Sequence, residues 1–175
     1  MIKISRFFRD IGIISGATIL AQAITLISLP ILTRIYPTQD FEDFGVFVAF
    51  TAILSSVLSL RFNIAIPLSK DNKDFDITTS LSVLSTFTLS TLFVGLYLLF
   101  KEFIPTIDYL KDEWFVLGII FCALGMSVYN ICVAVAAYSK DFVVVSKSKV
   151  IRSIASNLTQ VVLGLLSFGG GLLFG

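Results

Sequence analysis

Apolar residues gather in five long runs, separated by short polar stretches, over about 12–32, 44–68, 77–100, 114–138 and 150–174. Each run reaches the roughly 20 residues that a helix needs to cross a bilayer's hydrocarbon core. No run alternates apolar and polar residues in the ten-residue segments of a membrane barrel. Helices are then the default, because a backbone facing lipid has to satisfy its own hydrogen bonds. The first run is too long for a signal peptide's apolar core and lacks a clear small-residue cleavage site. Ahead of it, MIKISRFFRD (with residue 11, a segment over 1–11) reads as a short amphipathic helix lying on a membrane surface, Phe7 and Phe8 inserted. The expected fold is an all-α integral membrane protein with five transmembrane helices, a bundle over 12–175.

Composition agrees. The chain is 56% hydrophobic and only 14% charged, against roughly 25% charge for an ordinary soluble domain. Its net charge of +1 offers no electrostatic footprint for nucleic acid. With no histidine, imidazole catalysis and imidazole metal ligation are excluded. Cys122 and Cys132 stand ten residues apart in one apolar run, which is not a zinc or redox spacing. They read as small buried apolar residues. No metal, no cofactor and no catalytic residue is expected.

Basic residues orient the bundle. Lys3, Arg6, Arg9, Lys70, Lys73, Lys140, Lys147, Lys149 and Arg152 fall on one side, and only Arg34, Lys101 and Lys111 on the other. The positive-inside rule puts the N-terminus in the cytoplasm. The opposite loops are acidic, with Asp40, Glu42 and Asp43, then Glu102, Asp108, Asp112 and Glu113. Trp114 would anchor the fourth span at the outer interface, and Asp40 or Asp43 would cap the second. Pro30 would kink or loosen the end of the first span.

At 100° per residue, Ser15, Thr18, Gln22 and Thr25 share a stripe on the first helix. Arg152, Ser153, Ser156, Asn157, Thr159, Gln160 and Ser167 share a broad face on the fifth. Such stripes face neighbouring helices or a wet cavity, and the pattern leaves both open. On the fourth helix Gly118, Cys122, Gly125, Tyr129, Cys132 and Ala136 form a seam of small residues suited to close packing. Arg61 is the oddest residue. Treated as one helix, the second run sets it in the inner half of a span, roughly 10 Å from Leu68. There it either snorkels to the interface or faces a cavity. No Asp or Glu lies in any span to pair with it, so a cavity-facing Arg61 would await an anionic ligand.

Three stretches carry a resemblance. LPILTRIYPTQDFEDFGVF and SLRFNIAIPLSKD resemble the opening motifs of Wzx-type polysaccharide flippases. Further on, YSKDFVVVSKSKVIRSIASNLTQVVLGLL resembles their basic loop and fifth helix. These belong to the multidrug/oligosaccharidyl-lipid/polysaccharide exporter superfamily, with its MATE-like architecture of two lobes. Asn63 stands where the family usually has an acid after the arginine. The resemblance covers nearly all of the chain and implies most of an N-terminal lobe, from a truncated chain without the second lobe.

Several expectations follow from that resemblance. The protein would move undecaprenyl-diphosphate-linked oligosaccharide across the bacterial cytoplasmic (inner) membrane for O-antigen, capsule or exopolysaccharide synthesis, with no enzymatic step. Arg61, Arg34 and Arg152 would meet the anionic diphosphate head, and Gln22, Asn157 and Gln160 would bind the sugars. Its partners would be the lipid-linked oligosaccharide, membrane lipids, and a polysaccharide polymerase with chain-length proteins. Three rivals stand beside this reading. One is an inert fragment or non-transporting membrane subunit, since five helices cannot supply both halves of an alternating-access machine. Another is a multidrug antiporter, disfavoured because 12–32 holds no carboxylate. A membrane enzyme is the third, disfavoured because the outer loops are short.

Overall fold

The structure, a computed structural model, describes residues 2–100 and 113–165. All regular elements among them are helical. They are α1 (Ile2–Ile35), α2 (Thr38–Leu58), the four-residue α3 (Phe62–Ala65) with a 3-10 turn (Ile66–Leu68), α4 (Asn72–Phe100), α5 (Glu113–Tyr138) and α6 (Phe142–Leu165). Four segments among the described residues are long and apolar enough to cross a membrane: Phe8–Ile35, Thr38–Leu58, Asn72–Phe100 and Trp114–Tyr138. The expected fifth span is not among them. Its helix begins at Phe142 rather than at 150, and so takes in Lys147, Lys149 and Arg152. The end of that expected span, with Ser167, and the outer-loop residues Lys101, Glu102, Asp108, Lys111 and Asp112 lie outside the described residues.

The helix over 2–35 is continuous. Of the segment 1–11 expected as a separate surface helix, residues 2–11 supply its first turns instead. It also runs through Pro30, where the ring removes one backbone donor and the Thr33 hydroxyl donates to the Pro30 carbonyl at 3.1 Å. Asp40 lies in the first turn of α2, where a carboxylate complements the helix dipole. Asp141 caps α6, its Oδ1 accepting from Val144 N at 3.3 Å.

The chain divides into two compact units, 1–45 with 140–175, and 46–139. In the first unit α1 and α6 pair along their lengths. Thr18, Ala21 and Thr25 meet Lys149, Ser153 and Asn157 in turn, and Val161 packs by Leu32 and Tyr36. Residue numbers rise together on both helices, so the pair is parallel.

In the second unit the core is partly made of hydroxyls. Ser82, Thr86 and Ser90 form one buried face of α4, and Ser127 on α5 donates to the Ser55 carbonyl of α2 at 2.9 Å. Thr86 returns its hydroxyl to the Ser82 carbonyl at 2.8 Å, as hydroxyls in apolar helices commonly do. Aromatic and aliphatic groups close the unit at Tyr97, Val116 and Ile120 and at the edge-on pair of Phe47 and Phe115. The expected small-residue seam of α5 is not its packed face. Val116, Ile120, Ala123, Ser127, Ile131 and Ala134 are buried, whereas Cys122, Gly125 and Cys132 are exposed. Of that seam, Gly118 has a close neighbour, the Phe47 ring, 3.6 Å from where a Cβ would stand.

The second apolar run, expected to be one helix to residue 68, breaks after Leu58. Leu60 and Arg61 both take the left-handed conformation, with φ of 44° and 55°. Each such non-glycine residue costs roughly 1–2 kcal/mol. Burial of Ile66, fully covered against Ile131 and Ala134 with Phe75, Val135 and Tyr138 around it, anchors the far side of the break. Phe75 and Tyr138 stack there at 4.2 Å, and the Tyr138 hydroxyl donates to Asn72 Oδ1 at 3.3 Å. Replacing exposed Leu60 by glycine is expected to raise the thermal unfolding midpoint, by a stability gain of about 1 kcal/mol. Val57→Gly, three residues earlier in regular helix, should lower it by a similar amount. A Leu60→Gly midpoint below wild type would contradict the assigned turn.

Candidate functional site

The six residues expected to bind a ligand fall into three settings. Gln22 and Arg34 are exposed on α1, and Arg34 sits in its last turn, where a cation complements the helix dipole. Arg152 is exposed on α6. Asn157 and Gln160 are each only 7% exposed, in the seam between α1 and α6. Arg61 belongs to the other unit.

The seam is built from polar groups at helical spacing. Lys149 Nζ reaches Thr18 Oγ1 at 3.5 Å. One turn on, the Ser153 hydroxyl donates to the Ala21 carbonyl at 2.8 Å and stands 3.4 Å from Thr25 Oγ1. Asn157 Nδ2 donates to Ser153 O at 2.7 Å and to Thr25 Oγ1 at 3.4 Å. At the far end the Tyr36 hydroxyl donates to the Gln160 carbonyl at 2.8 Å, beside Leu32, Ile35, Phe41, Phe44 and Val161. Of the stripe expected on α1, Thr18 and Thr25 join this ladder, while Ser15 and Gln22 remain exposed. Between the two readings of α6's polar face, the contacts of Asn157 are those of interhelical hydrogen bonding. The residue pattern gives neither Tyr36 nor Lys149 a place in this seam. Tyr36 follows directly on α1 and is read naturally as part of the turn, and Lys149 as a loop cation.

Arg61 sits past the end of the second candidate span, not inside it. At 1.5 Å per residue the 21 residues of α2 cover about 30 Å, a full hydrocarbon thickness. The chain then turns. Phe62 N donates to Ser59 O at 2.9 Å, and Ile64 N to Arg61 O at 3.0 Å. The exposed guanidinium makes no cap hydrogen bond and has no ion-pair partner among the described residues. In an unbroken helix Ser56, Ser59 and Asn63 would share a face opposite Arg61, and the break after Leu58 removes that geometry. Ser59 still reaches Asn63 Oδ1, at 3.4 Å, across the turn. The described residues contain no cluster of His, Cys, Asp and Glu able to hold a metal.

Comparison with protein-family models, curated proteins and solved structures finds no match to this chain.

Burial, with Asp40 nearby, pushes the Tyr36 phenol above the usual tyrosine range. The folded state therefore holds the proton to higher pH than the unfolded chain does. That contribution is fully present below the unfolded tyrosine pKa and lost as pH rises through the folded one. Tyr36→Phe is expected to cost roughly 0.5–1.5 kcal/mol at neutral pH and to flatten the alkaline fall in stability. Thermal unfolding across an alkaline pH series checks both, and an unchanged alkaline limb would contradict the assigned Tyr36 contact.

Proposed function

We propose that this chain contributes to a bacterial inner-membrane transporter of lipid-linked oligosaccharide, with its N-terminus cytoplasmic. Four helices long and apolar enough to span a membrane fit a multi-pass protein. The finer reading draws on the likeness of LPILTRIYPTQDFEDFGVF and SLRFNIAIPLSKD to the polysaccharide flippases. The observation that carries it is Arg61. A guanidinium presented at the end of a span by two costly left-handed residues, with no carboxylate paired to it, offers its planar donor fork to a phosphate. On this reading the diphosphate head meets Arg61 where it enters the membrane, and the hydrocarbon tail stays in lipid. Within the other unit, the exposed Arg34, Arg152 and Gln22 would meet charged and sugar groups on their own account.

A second reading, a membrane subunit that does not itself transport, is favoured by the seam between α1 and α6. Asn157 is taken up there in hydrogen bonds to neighbouring helix groups and is closed to a soluble ligand. An antiporter is the weaker rival, since α1 carries no acidic residue beyond Asp10.

In a strain whose surface polysaccharide depends on this gene, Arg61→Ala is expected to cut export about tenfold or more, and Arg61→Lys to retain part of it. Chain levels measured in the membrane separate loss of transport from loss of protein. Normal export by a normally expressed Arg61→Ala variant would remove Arg61 from the mechanism and leave the subunit reading in its place.

A further inference from the structure

The first unit holds a groove of about 470 Å³ between the early turns of α1 and α6, a size within the range of ligand sites. Its floor is open. A Cβ built on Gly12 or Gly16 would meet nothing within 4 Å. The remaining walls are mostly aliphatic, ending at Leu20 and Ile151. Two polar groups interrupt them. Ser146 is 6% exposed, and its buried hydroxyl has no hydrogen-bond partner. Lys147 beside it is exposed and has no ion-pair partner among the described residues.

Register fixes the depth of these groups. In the parallel pair Lys149 lies level with Thr18, so Lys147 lies near Gly16. That is eight residues into the apolar segment that begins at Phe8, about 12 Å along the helix. A lysine there needs an anion or must stretch back to the interface. At that depth its own helices offer no partner, since α6 and residues 12–35 contain no Asp or Glu; Asp10 and Asp141 lie some six residues nearer the helix starts, and Asp10 pairs with Arg9 at 3.5 Å. A second copy of this pair, pressed onto Gly12 and Gly16, would cover Lys147 without bringing a carboxylate to that depth. The occupant that fits is therefore anionic at one point and hydrocarbon elsewhere. Basic pockets between membrane helices commonly take lipid headgroups of this kind.

We propose that this groove binds an anionic phospholipid of the leaflet on the N-terminal side. Lys147 and the Ser146 hydroxyl hold its phosphodiester, the rest of the headgroup lies over Gly12, and one acyl chain runs past Gly16 toward Leu20 and Ile151. The site is independent of transport and of Arg61, which belongs to the other unit.

The test is lipid retention by the full chain, purified in detergent and measured by native mass spectrometry. Phosphatidylglycerol, phosphatidylcholine and inorganic phosphate are the probes. Wild type should hold phosphatidylglycerol about tenfold more tightly than phosphatidylcholine. Lys147→Gln and Lys147→Glu should abolish that preference, while Lys140→Glu, outside the groove, should keep it. Gly16→Leu should weaken both lipids by filling the floor, and inorganic phosphate alone should not compete. Equal retention of the two lipids by wild type, or a preference surviving in both Lys147 variants, would overturn the proposal. So would a dimer lost in Gly16→Leu without any lipid preference, which would give the groove to a second copy. Displacement of phosphatidylglycerol by an equal amount of a polyprenyl diphosphate would likewise reassign it to an isoprenoid lipid.

Discussion

A polar group at hydrocarbon depth has to find its partner within the protein, and the arrangement of α6 follows from that constraint. Alone, the helix is a poor span, with two lysines, an arginine, an asparagine and a glutamine among its 24 residues. Against α1 part of its polar face is covered. Ser153 and Asn157 turn into the seam, where the Ala21 carbonyl and the Thr25 hydroxyl of α1 receive them, while Ile151, Leu158, Val162 and Leu165 stay outside. Individual hydrogen bonds of this kind contribute only about 0.6–1.7 kcal/mol. Their larger effect is on register, because sliding either helix by one residue would strand several polar groups at once.

The same constraint accounts for the break after Leu58. Carried on as a helix, α2 would draw Arg61 into the apolar layer, at a cost of about 2.5–3.5 kcal/mol. Two left-handed residues cost a comparable amount, yet they stop the helix at one membrane thickness. They also let Ile66 bury itself against α5. The apolar sequence IAIPL is thus a packed end-piece of the second unit. That answers why a permanently charged side chain follows so closely on a membrane span: the span has already ended.

Much of this was legible in the residue pattern, and the exceptions have physical causes. Helices α1, α4 and α5 contain their expected spans because long apolar runs have few other options. The break was hidden because no glycine or proline marks it. Its left-handed residues are Leu60 and Arg61, whose conformation follows from the tertiary burial of Ile66. Helix α6 starts early because Asp141 caps it there, and the first turn it caps, FVVV, reads equally well as strand or loop. Of the polar face drawn on α6, Asn157 and Gln160 are buried and Ser153 meets α1, while Arg152 and Thr159 are exposed. A single helix could not show what that face meets, since the answer lies some 130 residues away in α1. The cysteine seam of α5 failed for a related reason. Small residues permit close approach without requiring it, and here the neighbouring face, with Ser127 and Ala134, is the one that is packed.

The parallel α1–α6 pair at membrane depth is most directly tested by disulfide crosslinking in native membranes, with Cys122 and Cys132 first replaced by serine. Ala21→Cys combined with Ser153→Cys should crosslink efficiently. Ala21→Cys combined with Val161→Cys, two turns out of register, should not, and neither cysteine of the first pair should react with a membrane-impermeant maleimide. Crosslinking of the second pair in preference to the first, or rapid labelling at Ser153→Cys from water, would contradict the paired, buried arrangement.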